Sequence, residues 1–238
     1  MTLPVAILAG GLATRLRPLT EKIPKALVEL NGEPFIAHQL RLLQAAGLKE
    51  VVICAWYRGD LIRDFAGDGH LFGMNIQYSF DGDIPLGTGG ALQKALPLLD
   101  RSFFVLYGDS YLPCDYQAVE AAYFSGGKKG LMTVFHNHNQ GDSSNVEFSG
   151  GQIRVYDKKK RTPKMEYIDY GLGILNASAF APYSLGKPLD LADIYQHLLA
   201  EGQLAGYEVP ERFYEIGSFE GIQDLEDYLK RNKEGEAS

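Results

Sequence analysis

Three short, continuous apolar runs, at residues 3–8, 51–55 and 103–107, and an extended segment at 76–80 alternate with stretches whose apolar residues recur at helical spacing. A strand that is apolar at nearly every position must be covered on both faces, and strands alternating with helices build a mostly parallel sheet with helices on both sides. Phe35, Ile36, Leu40, Leu42 and Leu43 form one such helical stretch, opened by Pro34 and stopped at Gly47. Residues 61–65 and 91–99 read as further helices and 26–30 as a short second strand. Beyond Asp109 the texture changes. Residues 131–135, 146–148, 153–156 and 170–175 are extended segments separated by turn-rich stretches, an antiparallel or mixed extension closed by helices near 191–199 and 219–229. The tail 232–238 is expected to fray.

The chain has 238 residues, the size of one α/β domain with a substantial core. Its 23 basic and 30 acidic residues give a net charge of -7, which supplies no general field for a polyanion. Nucleic acid is therefore not expected as a partner, and any phosphate site must be local. Two cysteines, Cys54 and Cys114, cannot make a disulfide framework. No apolar run approaches the roughly 18 residues that span a bilayer, and the start of the chain lacks a basic, signal-like segment. These features lead us to expect a soluble, cytoplasmic chain without a membrane partner. No apolar surface stripe stands out, which leaves the oligomeric state open and a homodimer compatible with the sequence.

Three stretches carry groups suited to chemistry. Residues 8–20, LAGGLATRLRPLT, leave the first strand with Gly10 and Gly11, then supply Arg15 and Arg17, with Lys25 close behind. Backbone N–H groups exposed by glycines can cradle phosphate oxygens that the cations neutralise. Residues 85–92, PLGTGGAL, open a helix. Tyr107, Gly108, Asp109 and Ser110 end a buried strand, the place where ligands sit in open α/β sheets and where a carboxylate can hold a divalent cation. G-D-S is also a hydrolase nucleophile pattern, with Ser110 as nucleophile. Its partner pair should read D-x-x-H, whereas Asp193 and His197 are one residue too far apart. His136 and His138 share a strand face without a third ligand and are expected at an exposed hairpin edge.

Residues 8–25 resemble the signature of the sugar-1-phosphate nucleotidyltransferases, L-A-G-G-x-G-T-R-L-x-P-L-T followed by P-K, with Ala13 standing where that family usually has glycine. Residues 85–92 resemble the family's base and ribose segment, particularly in members that activate mannose or heptose 1-phosphate with GTP. Asp157 and Lys158 resemble its acidic-Lys pair. Asp169 and Gly171 fall in a stretch like N-x-G-I-Y, with Asp169 in place of the usual Asn. Residues 213–224 resemble D-x-G-T-P-E-D, with Glu215 in place of the metal-binding Asp.

The resemblance implies a single doubly wound, Rossmann-like (GT-A-like) α/β domain with a mixed, mostly parallel sheet. Residues 1–110 would form a nucleotide-binding half and 111–231 a sugar-phosphate half. The implied partners are a nucleoside triphosphate and a sugar 1-phosphate, and the implied cofactor is Mg²⁺ held by Asp109 and Glu215. Arg15, Lys25, Asp109 and Lys158 would be catalytic. Leu8, Ala9, Gly10, Gly11, Thr14, Gly87, Thr88, Gly89 and Gly90 would bind the nucleotide, and Asp157, Asp169 and Gly171 the sugar. A guanylyltransferase for mannose or heptose 1-phosphate is the leading expectation. A uridylyltransferase and a non-catalytic nucleotide-sugar-binding regulatory paralogue are the alternatives.

Overall fold

The computed structural model describes residues 2–12, 14–137 and 143–236. Ala13, His138 and the end of the tail lie outside it. In chain order the elements are β1 (Val5–Leu8), β2 (Glu29–Leu30), β3 (Glu33–Pro34), α1 (Phe35–Ala45), β4 (Glu50–Ala55), α2 (Gly59–Ala66), β5 (Asn75–Phe80), α3 (Gly87–Ala95), β6 (Ser102–Tyr107) and β7 (Ser110–Tyr111). They continue with α4 (Tyr116–Gly126), β8 (Gly130–His136), β9 (Val146–Ser149), β10 (Gln152–Tyr156), β11 (Tyr167–Asn176), α5 (Leu191–Ala200), β12 (Leu204–Glu208), β13 (Tyr214–Glu215) and α6 (Phe219–Glu236).

Nine strands form one mixed sheet. Strands β6, β1, β4 and β5 are parallel neighbours; β11 pairs antiparallel with β6 and with β8, and β12 runs parallel to β8. Period-two alternation sends neighbouring residues to opposite faces. Val5, Ile7, Val51, Ile53, Phe104 and Leu106 pack with α1, α2 and α4, whereas Ala6, Val52, Cys54, Phe103 and Val105 pack with α3 and α5. A third cluster joins Val28, Leu30 and Phe35 to Ile216, Leu225 and Leu229, so α6 covers β2 and β13. Among the described residues no helix is long and apolar enough to cross a membrane.

Three expectations change. Residues 26–30 start in a 3₁₀ turn, Lys25–Leu27, entered from Pro24; Val28 is extended, and only Glu29–Leu30 pairs as a strand. The helix expected at 91–99 begins earlier, at Gly87, and ends at Ala95. Helix α6 extends to Glu236, into the tail expected to fray. His136 ends β8 beyond the Gly130–Val134 stretch that pairs with β12; its ring contacts Tyr167 and faces Glu166.

Candidate active site

At the carboxyl ends of the parallel strands lies a cavity of about 290 Å³, lined by residues that follow β1, β5 and β6 and by Cys54 at the end of β4. The Ala9 N–H donates to the Cys54 carbonyl at 2.8 Å, which tethers the exit of β1. Gly11 faces open space, since a Cβ there would meet nothing within 4 Å. Gly108 is glycine for the opposite reason. A Cβ on it would lie 2.6 Å from the Leu8 carbonyl oxygen and 2.9 Å from the Ala9 Cα.

Charged groups gather at the β6 end. Lys25 Nζ donates to Asp109 Oδ2 at 2.6 Å, with the two side chains 14% and 37% exposed. Arg15 and Lys25 both reach Gly217: a Cβ on that glycine would stand 3.6 Å from Arg15 Nη2 and 3.7 Å from Lys25 Nζ. Glu215, two residues earlier, pairs with Ser110 across the β7–β13 ribbon, and the Ile216 N–H donates to the Asp109 carbonyl at 3.0 Å. The structure thus brings together Arg15, Lys25, Asp109 and the strand carrying Glu215, from four separate parts of the chain. Arg15 and Lys25 are cations of the kind that can meet phosphate charge. The Thr14 side chain lies outside the described residues.

Lys158 sits beside the same turn. Its Nζ donates to Tyr107 Oη at 3.3 Å, lies over the Tyr107 ring, and is 4.0 Å from Asp169 Oδ2. The Asp169 side chain is only 6% exposed and accepts from Tyr156 Oη at 3.2 Å and the Gly171 N–H at 3.1 Å. Burial holds this carboxyl above the usual carboxylate range, against the opposing pull of Lys158 and of both hydrogen bonds. Gly171, at φ +93°, occupies the register shift of β11, beside Ser110 and Tyr107, and this left-handed backbone favours glycine.

Other expected site residues have structural duties. Asp157 Oδ1 accepts from the N–H groups of Lys159 and Lys160, which lower its pKa and make it a turn cap. Gly87 and Thr88 line the cavity, but Gly89 and Gly90 are buried and donate to the Leu189 carbonyl at 2.9 and 3.1 Å. A Cβ on Gly89 would be 2.9 Å from Leu189 Cγ, so close packing requires glycine at that position. Thr88 Oγ1 also accepts from the Leu191 N–H and donates to Asp190 Oδ1, tying α3 to α5.

The hydrolase alternative has no assembled triad. Ser110 is fully buried, and His197 faces Glu201 at 3.4 Å. Cys54 lines the cavity, yet burial pushes its thiol up to about 12, which keeps it a neutral thiol at physiological pH. One residue that sequence reasoning missed is Asp81, which follows β5 and lines the far end of the cavity. Its Oδ2 accepts from the Leu86 N–H at 2.8 Å, and burial raises its pKa. An isolated Asp before a glycine-rich turn gives no sequence signal of that placement.

A family model described as "Nucleotidyl transferase" matches residues 5–232. The chain belongs to this family. A D-glycero-alpha-D-manno-heptose 1-phosphate guanylyltransferase from Campylobacter jejuni is 37% identical over 212 residues, covering 89% of this chain and 93% of that protein. A mannose-1-phosphate guanyltransferase from Gibberella zeae is 30% identical over 219 residues, covering 89% of this chain; the chain spans 60% of that longer relative. Among solved structures, HddC from Yersinia pseudotuberculosis complexed with GMP-PN shares this nucleotidyl transferase's fold with a TM-score of 0.79. It is 22% identical, and the match covers 96% of this chain and 100% of that one.

Proposed function

We propose that this nucleotidyl transferase makes a nucleoside diphosphate sugar and pyrophosphate from a nucleoside triphosphate and a sugar 1-phosphate, with GTP and mannose or heptose 1-phosphate as substrates, in the cytoplasm. The observation that carries the proposal is the meeting of Arg15 and Lys25 at Gly217 beside Asp109. In the reaction a phosphate oxygen of the sugar 1-phosphate forms a bond to the α-phosphorus while the bond from that phosphorus to the bridging oxygen breaks, releasing pyrophosphate. Both reactants are anions. Unit charges about 4 Å apart interact by about 4 kcal/mol at an effective dielectric of 20, so bringing several phosphate charges together is the main obstacle.

The residues answer that obstacle. Arg15 stabilises the departing pyrophosphate, Lys25 lies against the triphosphate, and Lys158 holds the sugar phosphate next to Tyr107. The open face of Gly11 lets the phosphates approach the backbone. Residues 1–110 supply most of the nucleotide's contacts, and 111–231 those of the sugar phosphate. No protein nucleophile is needed, as positioning and charge stabilisation perform most of such a transfer.

Mg²⁺ fits the donor set. Among the described residues no three His, Cys, Asp or Glu side chains are arranged as a metal cage. Mg²⁺ is commonly held by one or two carboxylates and completed by substrate phosphates and water. Asp109 and Glu215 would hold it, and when bound it would neutralise phosphate charge.

Guanine is favoured by Asp81. Neighbouring strands are about 4.8 Å apart, so the three steps from β6 to β5 separate the Asp109 end from the Asp81 end by about 14 Å, room for a nucleotide laid lengthwise. A carboxylate can accept from both the ring N–H and the exocyclic amine of guanine, whereas uracil offers one N–H between two repelling carbonyls. Pyrophosphate release is the test, with GTP, UTP, CTP, dTTP and ATP each paired with mannose and heptose 1-phosphates. GTP with one of these sugars is expected to lead, and Asp81→Asn to narrow that lead. Arg15→Ala and Asp109→Ala should each lower turnover by about 10²–10³ without changing the melting temperature by more than a few degrees. Release at the parent rate by either variant overturns its assigned role.

A further inference from the structure

We propose that Gln39, in α1, is a positioning residue that holds the Asp109 turn in its metal-binding shape; the inference rests on Asp109 being a metal ligand, as argued above. The turn between β6 and β7 consists of Gly108 and Asp109 alone. Gln39 Nε2 brackets it, donating to the Tyr107 carbonyl at 3.0 Å and to the Ser110 carbonyl at 2.8 Å. The side chain is 1% exposed, and its Oε1 has no hydrogen-bond partner among the described residues. Reversing the amide would turn its oxygen toward two carbonyl oxygens, so the two carbonyls dictate the orientation even at the cost of a stranded acceptor.

Several groups of the site lean on the residues so clamped. Asp109 pairs with Lys25. The Tyr107 hydroxyl receives Lys158. Ser110 pairs with Glu215 in the β7–β13 ribbon, and the Asp109 carbonyl accepts from Ile216. One buried amide therefore spans the turn that carries Asp109, and the β7 strand leaving that turn pairs with the strand that carries Glu215. A purely structural glutamine would be expected to tie helix to sheet anywhere along β6; this one spans the two-residue turn. Glutamate, which has no N–H, would set its oxygens against both carbonyls.

A glutamine elsewhere provides the control. Gln93, in α3, is 7% exposed, donates Nε2 to the Tyr183 carbonyl at 2.9 Å, and likewise has no partner for Oε1 among the described residues. Gln39→Leu and Gln93→Leu thus remove comparable buried amides, one at the turn and one away from it. Mn²⁺ binding in the presence of GDP-mannose, read from the loss of the free-ion paramagnetic resonance signal, is the direct measurement, with a melting curve for each variant. Gln39→Leu should weaken Mn²⁺ binding about tenfold, the equivalent of one hydrogen bond's 1.4 kcal/mol. It should raise the Mg²⁺ concentration for half-maximal turnover to match, while Gln93→Leu loses stability without either change.

Gln39→Met, unbranched and of similar length, repeats the test should the leucine variant not fold. Parent-like Mn²⁺ affinity in a folded Gln39 variant, or an equal loss in Gln93→Leu, overturns the proposal. Asp109→Ala separates the two readings. If it leaves Mn²⁺ binding intact, the metal assignment fails; if it abolishes binding while Gln39 variants bind normally, only the clamp fails.

Discussion

Lys25 both neutralises Asp109 and stands on the oxygen a cation would take, so its removal should have opposite effects on metal binding and on turnover. In Lys25→Met the carboxylate loses a donor 2.6 Å away. With Asp109 37% and Lys25 14% exposed, the pair is only partly shielded from water, and partly exposed ion pairs contribute about 0.2–1 kcal/mol. Displacing that partner is a cost metal binding must meet in the parent and not in the variant. Mn²⁺ should therefore bind the variant about 1.4- to 5-fold more tightly, from the same 0.2–1 kcal/mol.

The melting temperature should fall by no more than about 2–4 °C, the shift expected of 1 kcal/mol in a chain of this length. Turnover should fall far more, by about 10²–10³, because a cation against the reacting phosphates acts in the transition state, where charge rearranges. Mn²⁺ titration with GDP-mannose, pyrophosphate release at saturating substrates, and thermal melting together distinguish these effects. Weaker metal binding, or turnover within threefold of the parent, would refute the reasoning, since Lys25 would then be an ordinary ion-pair partner of Asp109.

Two further outcomes concern the fold that carries the site. Asp169→Asn should melt higher than the parent at pH 8, by about 2–4 °C if the relief is near 1 kcal/mol, and at the same temperature near pH 3. A carboxyl whose folded pKa is raised stabilises the fold fully below its unfolded value near 3.9 and loses that contribution as pH rises through the folded value, whereas Asn does not titrate. A constant difference across this range would show that Lys158 and Tyr156 offset the burial. Gly108→Ala forces a Cβ to within 2.6 Å of the Leu8 carbonyl, backbone against backbone, and urea unfolding should show a loss of about 1–3 kcal/mol or more; full stability would mean that the exits of β1 and β6 can part.

How far the sequence discloses this molecule depends on whether a feature is local. The parallel strands were legible because burial on both faces leaves an unbroken apolar run, as in 51–55, and α1 because Pro34 and Gly47 bound it. Helix α4 escaped notice despite local signals: Asp115 caps it by accepting from the Gln117 and Ala118 N–H groups, and Gly127, at φ +62°, ends it. Its apolar stripe is weak, so periodicity alone passed over YQAVEAAYFSG. β12 holds only five residues, with a glycine at its centre, and it is a strand because β8 offers it an edge through Ala205 and Gly206. Its fate was decided by tertiary pairing.

The site divides along the same line. Arg15, Lys25 and Asp109 stand out in the sequence because phosphate chemistry restricts which side chains can follow a glycine turn or end a strand, and the fold sets the three close together. What those positions need from the rest of the chain does not stand out there. Gly89 and Gly90 read as a ligand cradle, yet a Cβ on Gly89 would press on Leu189, a hundred residues away, and one on Gly90 on Leu86 and the Lys187 carbonyl. Asp157 read as half of a binding pair, and its Oδ1 also caps the N–H groups of Lys159 and Lys160. Gln39 gave no signal, for a single glutamine in an amphipathic helix resembles any other until the fold sets two carbonyls before it. The chemistry of a side chain can be read from its type, but its duty follows from which backbone groups the fold leaves for it to satisfy. At Gln39 the amide N–H groups close the turn beside Asp109, while its buried oxygen has no partner among the described residues.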